Sequence, residues 1–244
     1  MTSRAARWLR FASPGQAYRL AGLLIPWAAI PAAVLFAVGV YLGLFVAPTD
    51  FQQGDAYRVL FIHVPAAWLG MFLYLLLALY AAAGWVFNAR VASMMASALA
   101  ATGAVFTGLT LVAGSLWARP TWGTWWVWDA RTTSTVILLF LYVGFISLQS
   151  AIEDPKRADR AGAVLALVGV VNIPIIYFSV EWWSTLHQGA TIRIVDGPTI
   201  AGSMLTPLLV MTAACWLYAI AIVLARLRCV IREREPHAIA PVIT

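Results

Sequence analysis

The sequence predicts an all-α membrane protein with six transmembrane helices. Of its 244 residues, 62% are hydrophobic and only 11% are charged, too few charges to cover a water-soluble domain of this size. Six apolar stretches are long enough, at about 20 residues or more, to cross roughly 30 Å of hydrocarbon. Backbone polar groups in lipid must be satisfied within each segment, and the short alternating strands of a barrel are missing, so the stretches are predicted to be helices.

The predicted spans follow one another through short connections, so that residues 1–244 form a single membrane domain. The outer loop 118–131 is expected between spans three and four, and the outer loop 181–203 between spans five and six. No ATP-binding P-loop, G-x-x-x-x-G-K-[ST], is present, so any ATP-driven step would need another chain. The six spans are predicted at residues 22–47, 60–87, 95–117, 132–151, 161–180 and 204–225.

The distribution of basic residues predicts the orientation of these spans. Both termini fall on the same side as the 2–3 and 4–5 loops, and that side carries twelve Lys and Arg residues. The positive-inside rule therefore predicts cytoplasmic termini, and inner-leaflet lipid explains the basic charge without nucleic-acid binding. Arg4 to Arg10, with Trp8 and Phe11, are expected to form an interfacial anchor, and no cleavable signal peptide is expected. The opposite side carries only Arg58, Arg119, Arg131 and Arg193.

Tryptophan is concentrated in the outer loop between spans three and four. Five of the twelve tryptophans in the chain fall within the twelve residues 117–128. Membrane interfaces enrich tryptophan, so anchoring at the headgroups is one explanation. Five indoles interrupted by Gly123 and followed by Asp129-Ala130-Arg131 favour instead a platform for a large flat ligand.

Two of the three histidines are predicted to lie on the same outer side as this loop. His63 is near the outer end of span two and His187 is in the 5–6 loop, whereas His237 lies in the inner tail and is given no role. Neutral imidazole binds haem iron well, and two imidazoles fill its axial positions. Zinc is the alternative, but it usually takes three or four protein ligands, and no third outer His or Cys is present. The pair therefore favours haem.

Two outer arginines are candidates for the propionates of such a ligand. Arg58 precedes His63 by five residues and Arg131 closes the tryptophan-rich loop. A guanidinium group pairs well with a carboxylate, although ordinary solvent exposure explains both residues equally well.

At these residues the chain resembles a known family. The segment Trp122–Arg131, WGTWWVWDAR, resembles the WWD motif of haem-handling membrane proteins in cytochrome c maturation. The segments 63–67, HVPAA, and 180–189, VEWWSTLHQG, are similar to one branch, the family of cytochrome c maturation protein C or haem exporter protein C. The resemblance extends from Pro26 to Ala225. Larger WWD relatives, including the haem lyase subunit, have more spans and further histidines.

The resemblance implies roles for the candidate residues. His63 and His187 would be the axial ligands of the haem iron. Asp129 would accept a hydrogen bond or hold the shape of the loop. The macrocycle would be supported by Trp122, Trp125, Trp126 and Trp128.

The resemblance also implies a function and partners. The chain would be a non-enzymatic subunit of the bacterial inner membrane that holds haem b as cargo at the periplasmic face. It would deliver this haem to the haem chaperone, cytochrome c maturation protein E, alongside the ABC-type maturation proteins A and B and the small membrane protein D. Two alternatives stay open: a subunit that exports haem across the bilayer, and a haem-b redox subunit. The second usually needs histidines in both halves of the membrane. The absence of Asp, Glu and Lys from mid-span positions speaks against an ion pump.

Overall fold

The computed structural model describes residues 13–187, 189, 192–193 and 197–243. The expected anchor at residues 4–11 and most of the stretch 188–196 lie outside these residues. Six helical segments of the described chain are long and apolar enough to cross a membrane, so the predicted fold class is confirmed. A two-residue antiparallel strand pair, Ile192–Arg193 (β1) with Gly197–Pro198 (β2), lies between the last two spans. The helices are α1 (Pro14–Tyr41), α2 (Leu60–Phe87), α3 (Arg90–Trp122), α4 (Ala130–Ala151), α5 (Pro155–Gly169), α6 (Asn172–Trp182), α7 (Gly202–Arg234) and α8 (Pro236–Ile243).

The first span begins earlier than the apolar pattern predicts. Ser13 caps α1 by accepting a hydrogen bond from the Gln16 N–H, and Pro14 occupies the first turn, where a missing N–H costs nothing. The helix continues past Tyr41 as a π-helical turn, Leu42–Val46. It packs mainly on α7 and leaves apolar side chains such as Trp27 exposed on the surface that lipid would cover.

The central pair of the bundle is α2 and α3, which lie side by side along most of their length. α2 ends at Asn88, whose left-handed backbone (φ 51°) closes the helix. Gly70 lies directly against Thr107 of α3, which lets the two backbones approach closely. One helical turn after Gly70, the core is filled by Tyr74 of α2 and Tyr142 of α4, whose rings meet edge to face at a centroid distance of 5.0 Å.

α3 runs five residues beyond the predicted span and takes up the first part of the predicted 118–131 loop. It ends at Gly123, a glycine in the left-handed region (φ 77°), whose N–H donates to the Arg119 carbonyl at 3.1 Å. α4 begins at Ala130, after the N-cap Asp129. The irregular part of this loop is therefore only 123–129, which we call the WWD loop.

The fifth span is broken into α5 and α6 at Val170–Val171. Pro174 lacks an N–H, and its ring would clash with the Val170 carbonyl in a continuous helix. The backbone at the break instead makes shorter-range bonds, such as Val170 N–H to the Leu167 carbonyl at 3.3 Å. α5 packs against both α2 and α4, whereas α6 packs mainly against α4.

The sixth span, α7, extends nine residues beyond the predicted end at 225. Its final turn is held by Arg234, which contacts Asp159 at 3.0 Å and the Gln149 side chain at 2.7 Å. Cys215 and Cys229 on this helix are both free thiols. These contacts tie together the end of the bundle opposite the WWD loop.

Candidate functional site

A cavity of about 250 Å³ lies at the end of the bundle that carries the WWD loop. Its walls come from α2, α3, α4, α6 and the loop itself. It extends along α2 at least from His63 to Met71, eight residues or about 12 Å of helix. The walls are largely apolar and aromatic, with few polar groups, as is common for sites that bind a large organic ligand.

His63 projects into this cavity from the first turns of α2. Its Nδ1 lies 3.0 Å from the Thr110 carbonyl oxygen of α3. A carbonyl can only accept, so Nδ1 carries the proton and, in the neutral ring, Nε2 is left with its lone pair. The ring also meets Trp117 edge to face at 5.8 Å. His63 is thus held by the α2–α3 pair, with one nitrogen available to a ligand.

His187 lines the same cavity and belongs to the segment that follows α6. Its Nδ1 lies 2.7 Å from Asp129 Oδ2, and its ring meets Trp122 edge to face at 4.9 Å. Burial lowers the pKa of His187 even though the Asp129 carboxylate opposes this shift. A neutral imidazole that donates through Nδ1 again leaves Nε2 as a free lone pair.

Asp129 uses both carboxylate oxygens. Oδ1 accepts the Thr132 backbone N–H at 2.8 Å and so caps α4, while Oδ2 accepts from the Thr185 hydroxyl and from His187. Burial raises the pKa of Asp129, but the hydrogen bonds from Thr185 and Thr132 outweigh it and hold the pKa below its ordinary value. Asp129 does not line the cavity. It lies behind His187, as a carboxylate commonly does behind a metal-binding histidine.

The predicted tryptophans separate into cavity residues and a surface residue. Trp122, Trp125 and Trp126 line the cavity, whereas Trp128 is 70% exposed and packs edge to face on Trp126 at 5.3 Å. The Trp126 Nε1 is buried and has no hydrogen-bond partner among the described residues.

The two predicted arginines also separate. Arg131 lines the cavity, and its Nε donates to the Ser179 hydroxyl at 3.1 Å. Arg58 is not among the cavity residues, and its role as a propionate partner stays a prediction. Its Nη1 donates to the Gly43 carbonyl at 2.5 Å and its Nε to Asp55 at 2.9 Å, so its guanidinium joins α1 to the start of α2.

Several residues around the cavity were not named as site residues from the sequence. Trp117, counted among the five indoles of the predicted platform, lines the cavity and donates its indole N–H to Gln53 at 2.8 Å. Trp68 and Met71 line the wall from α2, and their only sequence signal is that they lie at i+4 and i+7 from Val64, the residue after His63. Thr185 lies two residues before His187 but was not singled out.

The arrangement suits one large, flat, metal-containing ligand better than a bare ion. No group of three or more His, Cys, Asp or Glu side chains that could hold a metal ion occurs among the described residues. Two imidazoles without further protein ligands match the axial positions of a haem, whose macrocycle fills the remaining positions. The aromatic walls and Arg131 fit a macrocycle that carries carboxylates.

Comparison with known proteins agrees with this description. The chain matches the family described as "Heme exporter protein C" over residues 7–240. It is 50% identical over 182 residues to the heme exporter protein C of Escherichia coli K12, covering 75% of this chain and 74% of that one. It is 44% identical over 228 residues to that of Bradyrhizobium diazoefficiens, covering 93% and 86%. A putative cytochrome c biosynthesis ccmC-like mitochondrial protein of Marchantia polymorpha is 41% identical over 180 residues, covering 74% and 76%.

The fold and the cavity define a multi-pass membrane protein with a site for a large ligand near one end of its bundle. The extent of these matches makes the assignment definite: the chain belongs to the heme exporter protein C family. The family is one of haem handling in cytochrome c biogenesis, which agrees with the resemblance noted from the WWD segment.

Proposed function

We propose that this protein holds haem b as cargo between His63 and His187 and delivers it to the haem chaperone, cytochrome c maturation protein E. The observation that carries the proposal is the pairing of the two histidines across one cavity. Each imidazole has its Nδ1 engaged by an acceptor, so that each Nε2 is free to bind iron.

The cavity walls support a cargo that must be held and then released. Indole faces and edges contribute many modest contacts, which are individually easy to break. Arg131 provides a positive charge for a propionate. The exposed Trp128 gives the WWD loop an apolar surface on which a partner can dock.

We place the site at the periplasmic face of the bacterial inner membrane, because the positive-inside rule puts the termini in the cytoplasm. In this arrangement the chain works with the ABC-type maturation proteins A and B and the small membrane protein D. The ATPase must be a separate chain, since no P-loop occurs in this sequence. The protein itself performs haem handling rather than catalysis.

The packing of the bundle favours presentation of haem over its export through this chain. The cavity occupies the half of the bundle near the WWD loop, whereas the other half is filled by Tyr74, Leu77 and Tyr142, each fully buried. The described residues therefore leave the cavity without a continuation towards the opposite end. Loading of the chaperone that persists with an inactive ATPase partner would support presentation, and loading that stops would support export.

The test is the absorption spectrum of the purified protein in lipid nanodiscs after titration with haem b. We expect a low-spin, six-coordinate spectrum for the wild type and a pyridine haemochrome typical of haem b. His63→Ala and His187→Ala should each convert the spectrum to a five-coordinate form. His237→Ala is the matched control, since His237 lies at the opposite end, and its spectrum should be unchanged. Addition of the chaperone should then remove haem from the wild type.

Two results would contradict the proposal. A low-spin spectrum that persists in either single variant would remove that histidine from the ligand pair. Folded wild-type protein that takes up no haem would reduce the cavity to a packing feature and favour a structural role in the complex.

A further inference from the structure

The two cavity histidines are anchored by different kinds of group. His63 is part of α2, and its Nδ1 bonds to a main-chain carbonyl of α3, so the helix pair itself positions the ring. His187 lies outside any helix, five residues after the end of α6. Its ring is held by the side chains of Asp129, Thr185 and Trp122. The placement of His187 therefore depends on side chains that a single substitution can remove.

The hydrogen atoms around Asp129 can be assigned from the groups present. The Thr185 hydroxyl has one proton and donates it to Asp129 Oδ2. Thr185 Oγ1 also accepts the His187 backbone N–H at 3.0 Å, so the only proton of this hydroxyl is already used and Thr185 cannot donate to His187 Nδ1. Asp129 Oδ2 then accepts the remaining proton, that of His187 Nδ1 at 2.7 Å. One arrangement satisfies every group, and it has the proton of His187 on Nδ1.

The position of this proton decides whether His187 can bind iron through Nε2. A neutral imidazole has one protonated and one unprotonated nitrogen, and only the unprotonated one is a ligand. With Nδ1 protonated, the lone pair is on Nε2. If the partner of Nδ1 became a donor, the proton would move to Nε2 and the ring could no longer coordinate iron through that atom.

We propose that Asp129 and Thr185 are positioning residues that set the tautomer and orientation of His187. This inference rests on the proposed function, because it assigns a role to side chains that contact a proposed iron ligand of the same site. It also gives the Asp of the WWD loop a specific task. Oδ1 starts α4, and Oδ2 prepares the imidazole that lies across the cavity from His63.

Asp129→Asn separates these two tasks. Asparagine is as good an N-cap as aspartate, so its Oδ1 keeps the bond to the Thr132 N–H. Its amide nitrogen takes the place of Oδ2 and can only donate, which favours the His187 tautomer protonated on Nε2. Asp154→Asn is a matched control, because Asp154 caps α5 through the Arg157 N–H at 2.9 Å and has no histidine behind it.

The first measurement needs no haem. In protein labelled with ¹⁵N-histidine, the ring nitrogens report the tautomer, and only three histidines have to be assigned. At about pH 8, above the ordinary imidazole pKa, His187 should be protonated on Nδ1 in the wild type and on Nε2 in Asp129→Asn. Asp154→Asn should match the wild type. His63 should keep its wild-type signals in both variants, since its partner is a backbone carbonyl.

The second measurement is haem binding. We expect Asp129→Asn to lose low-spin haem and to bind haem roughly 10- to 100-fold more weakly, the usual effect of removing a partner behind a metal-binding histidine. Added imidazole should restore the low-spin spectrum by taking the vacated axial position. Thr185→Val should show the same loss to a smaller degree, and Thr185→Ser, which keeps the hydroxyl, should retain wild-type binding. Thr49→Val is the control, as Thr49 also donates to a carboxylate, Asp55, away from the cavity.

The two measurements separate failure of the inference from failure of the proposed function. If Asp129→Asn keeps both the wild-type tautomer of His187 and the wild-type haem spectrum, the positioning role is overturned. Wild-type protein that binds no haem, but changes tautomer in Asp129→Asn, would overturn the proposed function and leave the Asp129–Thr185–His187 arrangement supported. Equal losses in Thr185→Val and Thr185→Ser would overturn the role of the Thr185 hydroxyl.

Discussion

At the scale of single residues, Gly114 decides how closely His63 can approach α3. A Cβ atom built at Gly114 would lie 3.0 Å from His63 Cε1, closer than carbon atoms normally pack. Gly114 also lies one turn beyond Thr110, whose carbonyl holds His63 Nδ1. The glycine therefore leaves room for the imidazole beside its hydrogen-bond acceptor.

Gly114→Ala should displace the His63 ring by a few tenths of an ångström and weaken haem binding, while the protein still folds. We expect a loss of a few-fold in affinity and a broadened low-spin spectrum, because one axial ligand is moved off its position. Gly108→Ala is the control on the same helix, since a Cβ there meets no atom within 4 Å. The measurement is haem titration of both variants in nanodiscs. Equal affinities for the two would show that the glycine has no part in positioning His63.

The sequence predicts rare residues of this site better than common ones. His63, His187, Trp122 and Trp126 are recognisable because such residues are scarce elsewhere or lie in a distinctive segment. Trp68, by contrast, is one aromatic residue among many apolar ones on a membrane helix. A linear pattern of hydrophobicity does not tell which face of such a helix meets a cavity and which meets lipid.

The arginines illustrate a second limit of the sequence. Arg58 and Arg131 are both outer basic residues near a candidate ligand, and nothing in their local sequence separates them. The difference arises from long-range packing. The π-helical turn of α1 presents the Gly43 carbonyl to Arg58, whereas α6 presents the Ser179 hydroxyl to Arg131 on the cavity side.

At the scale of elements, the break between α5 and α6 shapes the cavity. The second half of this span, α6, packs on α4 and supplies the Tyr177 carbonyl and Ser179 hydroxyl that hold Arg131. Asn172 at the start of α6 is buried and donates its side-chain N–H to the Ser134 carbonyl of α4 at 2.9 Å. This bond fixes the direction in which α6 leaves the break.

Asn172→Ala should destabilise the protein modestly and impair the cavity. A side-chain hydrogen bond between membrane helices contributes about 0.6 kcal/mol on average, and loss of the buried side chain adds to this cost. We therefore expect a lower thermal unfolding midpoint together with weaker haem binding, as α6 is less firmly held. Ser150→Ala is the control, because the exposed Ser150 hydroxyl bonds only within its own helix. A variant with unchanged stability and binding would mean that Pro174 alone directs α6.

Comparison of the predicted and observed helix ends shows which ends can be located from hydrophobicity alone. The prediction for the second span, 60–87, coincides with α2, because both of its ends are also ends of apolar sequence. α3 and α4 extend into polar or aromatic sequence, where the caps Gly123 and Asp129 rather than hydrophobicity set the helix ends. α7 extends to Arg234 and stops before Pro236, which disfavours a helical conformation at Glu235. The break in the fifth span was not predicted, since proline within a membrane helix is often tolerated without one.

At the scale of the whole molecule, the charges are segregated between the two ends of the bundle. Arg90 pairs with Glu235 at 2.5 Å and Arg234 with Asp159 at 3.0 Å at the end opposite the WWD loop. Arg228 and Arg232 of α7 lie beside Tyr18 of α1 at the same end. Together these contacts join both terminal spans to the α4–α5 connection, so the basic residues that predict orientation also hold this end together.

The orientation can be tested with reporter fusions. A green fluorescent protein fused after Thr244 should fluoresce, and alkaline phosphatase fused there should be inactive, because we expect the C-terminus to lie in the cytoplasm. Alkaline phosphatase fused after Gln53, following the first span only, is the control and should be active. The reverse pattern would show the opposite topology, with the cavity at the cytoplasmic face.

The clustering of indoles around the cavity has a consequence for spectroscopy. Five of the twelve tryptophans, Trp68, Trp117, Trp122, Trp125 and Trp126, line its walls. Indole emission overlaps the strong near-ultraviolet absorption of an iron porphyrin, so excitation energy passes efficiently from these rings to a haem between them. Haem binding should therefore quench the intrinsic tryptophan fluorescence of the protein, and haem release should restore it. The unlabelled chain is its own optical sensor of cargo, and a stopped-flow instrument can follow each transfer in real time.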